Sequence, residues 1–183
     1  TPQWINVNPD RVFKPGEPTA VSNATGFYQF TVPLGTYNIR EVQQANWTQT
    51  FPAAGFYNVT LATDGQVIAD LDFGNKAVPG SVSGIVFEDF NKNGRLDPGE
   101  VGLGTAFIYA DLNNNGVFEA TEPNTTSAVG SGAWVLDNLD PRTYVIRQIP
   151  PAGYDQTFPS NNAPQVVAVS PAQNITNVNF GDA

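Results

Sequence analysis

The chain repeats itself. Thr36-Tyr37-Asn38-Ile39-Arg40 recurs as Thr143-Tyr144-Val145-Ile146-Arg147, an offset of 107. At the same offset Trp47-Thr48-Gln49-Thr50-Phe51-Pro52 matches Tyr154-Asp155-Gln156-Thr157-Phe158-Pro159, and Leu71-Asp72-Phe73-Gly74-Asn75 matches Val178-Asn179-Phe180-Gly181-Asp182. Towards the front the offset falls to 105, pairing Val12-Phe13 with Val117-Phe118, as a two-residue slip in a loop would produce. Self-similarity at this period means two copies of one supersecondary plan. The expected domains are 1–77 and 78–183, joined at the short Pro/Gly-marked Lys76-Ala77-Val78-Pro79-Gly80. Nothing in the first copy matches Ser81–Gly104, so that copy is expected to lack its opening strand and loop. Either the chain is cut from a longer tandem array, or another chain supplies the strand. The end at Phe180-Gly181-Asp182 leaves no spare strand, which favours the array.

Within each copy, short β-rich runs alternate with turn residues every 8–12 positions, which argues for an all-β fold. The architecture expected is two tandem Ig-like antiparallel β-sandwich domains. In copy two the strands are read near 83–88, 105–110, 132–136, 143–149, 154–158, 165–169 and 174–180. Alternation puts Ile85/Phe87, Phe107/Tyr109, Trp134/Leu136 and Tyr144/Ile146 on inward faces, with Tyr28/Phe30 and Tyr37/Ile39 as counterparts in copy one.

Composition closes off most chemistry. The 183 residues contain no His and no Cys. That removes Ser-His-Asp and Cys-His catalysis, ordinary zinc sites and disulfides, and the chain is read as not an enzyme. With no Met even at position 1, it is expected to be processed or excised from something longer. No apolar run approaches a membrane span, and the net charge of −9 opposes nucleic-acid binding. That charge is clustered, since seven of the 17 acids lie between Glu88 and Glu122. Clustering of this kind points to a cation.

Two twelve-residue stretches carry the pattern D-x-N-x-N-G-x-φ-[DE]-x-x-E, from Asp89 to Glu100 and from Asp111 to Glu122. Oxygen donors fall at Asp89, Asn91, Asn93, Asp97 and Glu100, with the Arg95 carbonyl at position seven. The second set is Asp111, Asn113, Asn115, Glu119 and Glu122, with the Val117 carbonyl. A hard cation wanting six to eight oxygens fits such a loop, Gly supplies the sharp turn, and the last Glu can chelate. Calcium is the expected cofactor, since zinc lacks ligands and magnesium prefers fewer protein oxygens. Strands rather than helices flank both loops, so these are EF-hand-like loops on a β framework. Copy one carries a degraded version in which Asn6, Asn8, Asp10, Val12 and Glu17 form a weak metal set, with Arg11 in place of Gly and Lys14 in place of a ligand.

The run Gly84-Ile85-Val86-Phe87-Glu88-Asp89-Phe90-Asn91-Lys92-Asn93-Gly94-Arg95-Leu96-Asp97-Pro98-Gly99-Glu100-Val101-Gly102-Leu103 resembles the opening of the SdrD B-like domain of serine-aspartate-repeat adhesins, related to collagen-adhesin B-type modules. Thr125-Thr126, Gly132-Ala133-Trp134 and Thr143-Tyr144-Val145 fit the same pattern. The resemblance implies a prealbumin-like sandwich, structural calcium, and a spacer or stalk role at the bacterial or archaeal cell surface. The expected partners are neighbouring repeats or identical subunits in an array. Two other readings remain open. One is a self-assembling extracellular filament subunit completed by strand exchange. The other is an accessory carbohydrate-binding module of a secreted enzyme, resting on exposed aromatics such as Trp4 or Trp47. Five Asn-x-Thr sequons, at Asn23, Asn46, Asn58, Asn124 and Asn174, are possible glycosylation sites.

Overall fold

A computed structural model describes residues 1–6 and 12–183. They divide into two compact units, Thr1–Ala77 and Val78–Ala183. Strands and turns dominate, with a single 3-10 turn at Ser160–Asn162 among the described residues.

The second unit is a sandwich of two sheets. Its strands are β7 (Gly80–Glu88), β8 (Phe107–Asp111), β9 (Asn124–Thr126), β10 (Ala133–Leu139), β11 (Arg142–Ile149), β12 (Gln156–Phe158), β13 (Gln165–Val169), β14 (Asn174–Ile175) and β15 (Phe180–Asp182). One sheet runs β10-β7-β15-β12, with β14 also on β7; the other runs β13-β11-β8-β9. Pairing is antiparallel except that β14 and β15 lie parallel to β7. Val82, Val86, Trp134, Leu136, Leu139, Val178 and Phe180 face Ala106, Ile108, Ala110, Tyr144, Ile146 and Val169 to make the core.

All seven strands read from the copy-two sequence are present, with two differences. The run 174–180 is interrupted, because one extra residue sits between β14 and β15 opposite β7, where the Val178 N–H still reaches the Ser83 carbonyl at 3.1 Å. Gly84 sits under that bulge, and a Cβ there would lie 1.8 Å from the Val178 carbonyl oxygen. Strand β9 was not expected, since Asn-Thr-Thr is polar and lies at a sheet edge.

The expected phase holds for Trp134/Leu136 and Tyr144/Ile146 but not for β7 and β8. There Val82/Val86 and Ile108/Ala110 fill the core. Phe107 and Tyr109 pack on the outer face against Phe118, at ring distances of 4.9 and 5.7 Å. Both faces of these strands are covered, so apolar residues on both phases made the alternation ambiguous.

The first unit has β1 (Pro2–Asn6), β2 (Thr19–Val21), β3 (Gly35–Glu41), β4 (Trp47–Phe51), β5 (Tyr57–Leu61) and β6 (Gly74–Ala77). Its sheet β2-β1-β3-β5 has the order of β9-β8-β11-β13, and β4-β6 has that of β12-β15. The counterparts of β7 and β10 are missing among the described strands. Ile39 is buried here, while Tyr28, Phe30 and Tyr37 are only half-covered. Trp4 is 3% exposed and meets Phe13 edge-on, so it cannot serve as an open carbohydrate platform.

Candidate metal-binding loops

The loop after β7 is organised by its first carboxylate. Asp89 is fully buried. Its Oδ1 accepts the Asn93 N–H at 3.0 Å, and its Oδ2 accepts the Gly94 N–H at 2.9 Å and the Thr157 hydroxyl at 2.6 Å. Burial alone would push this carboxyl up, but the Thr157 hydroxyl and the N–H groups of Gly94, Asn93 and Lys92 outweigh it and hold the group below its ordinary value. The backbone turns sharply through Lys92 at φ 60° and Gly94 at φ 75°.

The intermediate ligand positions converge. Asn91 and Asn93 donate their side-chain amides to the same oxygen, Asp97 Oδ2, at 2.9 and 2.6 Å. These two bonds keep the Asp97 carboxyl below its ordinary value. The carbonyl oxygens of the same amides accept backbone N–H groups within the loop, from Asn93 and Arg95 respectively. Glu100 closes the loop by accepting the Asp97 N–H at 2.8 Å through Oε2, while its Oε1 is buried without a partner.

The loop after β8 repeats the internal pattern of these bonds. Asp111 accepts the N–H groups of Asn115 (3.1 Å) and Gly116 (2.8 Å). Asn113 and Asn115 donate to Glu119 Oε1, and Glu122 Oε2 accepts the Glu119 N–H at 3.0 Å. Glu122 Oε1 also takes the Leu112 N–H. Here the buried oxygen without a partner is Glu119 Oε2. The two loops also differ in what supports the first carboxylate. Where Asp89 has the neutral Thr157, Asp111 has the Arg147 guanidinium at 2.7 Å, which is also anchored to Asn114. The Asp111 carboxyl is raised by burial and lowered further than that by Gly116, Arg147 and Asn115, so it too lies below its ordinary value.

Each loop therefore brings the amides of its third and fifth residues onto one carboxylate oxygen of the ninth, whose N–H is held by the final Glu. Among the described residues no three acidic side chains cluster by themselves. A hard cation here would have to take amide and carbonyl oxygens as well as carboxylates. A cation at the centre would turn the amide oxygens inward and give the unpartnered glutamate oxygens a counter-charge.

In the first unit, Glu17 is 7% exposed and accepts the Lys14 N–H at 2.8 Å, the same closing bond as in the complete loops. Asn8 and Asp10 of the weak set lie outside the described residues; Asn6 is buried at the end of β1, and Val12 is exposed. With Lys14 in the ninth position, the one carboxylate on which the amides converge in the other loops is replaced by a cation.

Thr157 and Arg147 were not singled out from the sequence, being 68 and 36 residues from the carboxylates they support. Their signal lay in the repeat, where Thr50/Thr157 and Arg40/Arg147 align. A second pair was also missed. Gln148 donates to the buried Asp182 Oδ1 at 2.5 Å, and burial raises the Asp182 carboxyl to about 6. In the first unit the acid and amide are exchanged, with Asn75 donating to both oxygens of Glu41 at 2.8 Å. All five sequon asparagines are exposed.

No protein-family profile matches the chain. Serine-aspartate repeat-containing protein I of Staphylococcus saprophyticus is 30% identical over 158 residues, covering 75% of this chain. The chain is homologous to serine-aspartate repeat proteins. Serine-aspartate repeat-containing protein F of Staphylococcus epidermidis is 28% identical over 151 residues, 76% of the chain. The chain spans only 8% and 9% of the lengths of these relatives. Among solved structures, the Bacillus anthracis TIE protein superposes on 91% of this chain and 28% of its own, with a TM-score of 0.55 and 16% identity. That likeness concerns the fold.

Proposed function

We propose that this chain is a structural module of a cell-surface adhesin or pilus-like fibre, a non-enzymatic pair of repeats in which calcium stiffens the second unit. The domains are read as an incomplete repeat over 1–77 and a complete one over 78–183. The observation that carries the calcium reading is the near-identity of the loops at Asp89–Glu100 and Asp111–Glu122. In both, the third and fifth side chains meet at one oxygen of the ninth, the first carboxylate is buried, and one glutamate oxygen lacks a partner. The surface role rests on the serine-aspartate repeat relatives. The partners proposed are neighbouring repeats in an array.

Calcium would lock two loops that otherwise hold their shape by sharing hydrogen bonds among their own ligands, which suits a load-bearing spacer lacking disulfides. Calorimetric titration tests the reading. The wild-type chain should take up two calcium ions, and a chain carrying Asp97→Asn and Glu119→Gln should take up none while remaining folded. Absence of any binding heat at millimolar calcium, the range of extracellular modules, overturns it.

A further inference from the structure

We propose that Asn115 is a self-modification site, which loses its side-chain amide to attack by the Gly116 backbone nitrogen, and that its counterpart Asn93 is shielded from the same reaction. This goes beyond the calcium reading and does not depend on it.

The chain has two Asn-Gly pairs, Asn93-Gly94 and Asn115-Gly116, each at the fifth and sixth places of a loop. A glycine carries no Cβ to crowd its own nitrogen, so that nitrogen can attack the Cγ of the asparagine before it. In this step the Gly116 nitrogen gives up its proton and bonds to Asn115 Cγ. The Cγ–Nδ2 bond breaks, and the amide group takes up a proton and leaves as ammonia. Water then opens the five-membered succinimide at either carbonyl, leaving aspartate or isoaspartate at position 115. Water is the sole co-reactant, and nothing is oxidised or reduced.

Inside the loops the reacting groups are held alike. The N–H groups of Gly94 and Gly116 donate to Oδ2 of Asp89 and Asp111 at 2.9 and 2.8 Å, which sets a carboxylate oxygen within reach of the departing proton. The Asn93 and Asn115 amides are both tied at 2.6 Å, to Asp97 and Glu119. Each loop must therefore open locally before the nitrogen reaches Cγ, and the surroundings decide which opens. A methyl built on Gly94 would lie 3.3 Å from Phe158 Cδ2, so the Phe158 ring covers that glycine, whereas nothing lies within 4 Å of the same point on Gly116. Gly116 is exposed and, with Arg147, lines an open cleft of about 470 Å³. Charge adds a second difference. Arg147 Nε donates to the same Asp111 Oδ2 at 2.7 Å, so a guanidinium stands near the Gly116 nitrogen and favours the negative charge that builds as its proton leaves. The neutral Thr157 hydroxyl takes the corresponding place at Asp89 Oδ2. The isoaspartyl product adds a backbone carbon between the Asn115 and Gly116 N–H groups, altering the spacing that brings both onto Asp111.

The test incubates the full chain in mildly alkaline buffer containing EGTA, native and in parallel in urea, and follows the amide-to-acid mass change at each asparagine by peptide mapping. In urea the two asparagines should convert at like rates. In the folded chain Asn115 should convert about fivefold or more faster than Asn93, the ratio reporting their local opening. Phe158→Ala should raise the Asn93 rate towards that of Asn115, while Asn115 keeps its wild-type rate and so reports that the unit is still folded. Equal rates in the folded wild-type chain, or a faster Asn93, overturn the proposal. No conversion of folded Asn115 over the time in which the urea sample is consumed overturns it too, as does an Asn93 rate that Phe158→Ala leaves unchanged.

Discussion

Replacing Asp182 by asparagine should stabilise the protein at neutral pH and leave it unchanged in acid. Asp182 is fully buried, Gln148 satisfies one oxygen, and the other has no partner. Burial raises its carboxyl from 3.8 to about 6, so the folded state favours the protonated form. Below the unfolded value both states are neutral and the site costs nothing. As pH rises through the window between 3.8 and about 6, the unfolded chain ionises first, and stability falls until the folded group has ionised as well. A gap of about two pKa units corresponds to on the order of 3 kcal/mol at pH 7.5. A neutral amide in place of the carboxylate would keep the shape and hydrogen bond without the charge, as Asn75 does at the matching place in the first unit. Urea denaturation in calcium-free buffer at pH 3 and pH 7.5 measures the difference. An Asp182→Asn gain of about 2–3 kcal/mol at the higher pH, absent at the lower, is the expected result. Equal stabilities at both pH values, or a destabilised variant at pH 7.5, would refute the argument.

Gly84→Ala should destabilise the second unit by at least about 1–3 kcal/mol, because the new methyl meets the Val178 carbonyl rather than a movable side chain; thermal melts of the variant check this. Thr157→Val removes one neutral donor from Asp89 and should cost roughly 1 kcal/mol, whereas Arg147→Gln removes a charged donor from buried Asp111 and should cost more, about 1.5–3 kcal/mol, in the same denaturation assay. Asp89, Asp97 and Asp111 all titrate below their ordinary value. Their contribution is present above 3.8 and is lost as pH falls through their folded values, so stability should peak between the acid loss of the loops and the neutral-pH penalty of Asp182. A pH series of melting temperatures that rises steadily from pH 3 to pH 8 would contradict this.

The fold class was legible because repeat and turn spacing are local signals. Trp134/Leu136 and Tyr144/Ile146 obeyed a single alternation and were placed correctly. Ser-Val-Ser-Gly-Ile-Val-Phe in β7 supports two alternations, and only the partner sheet decides that Val82 and Val86 face the core. The hydrogen-bonded pattern of the two loops was legible from spacing within twelve residues. Their supports were not, since Thr157 and Arg147 reach Asp89 and Asp111 only through the pairing of β12 with β15 and of β8 with β11. The exchanged pairs Glu41–Asn75 and Gln148–Asp182 were hidden for a related reason, because alignment of the copies shows which residues correspond but not which of them touch.

The most direct test of the central claim is the melting temperature of the chain in calcium and in EGTA. At an affinity of about 10⁻⁴ M, calcium at about 100 times that concentration should add roughly 2.7 kcal/mol per site, raising the melting temperature of the second unit by several degrees. Melting curves that coincide in calcium and EGTA would contradict the account.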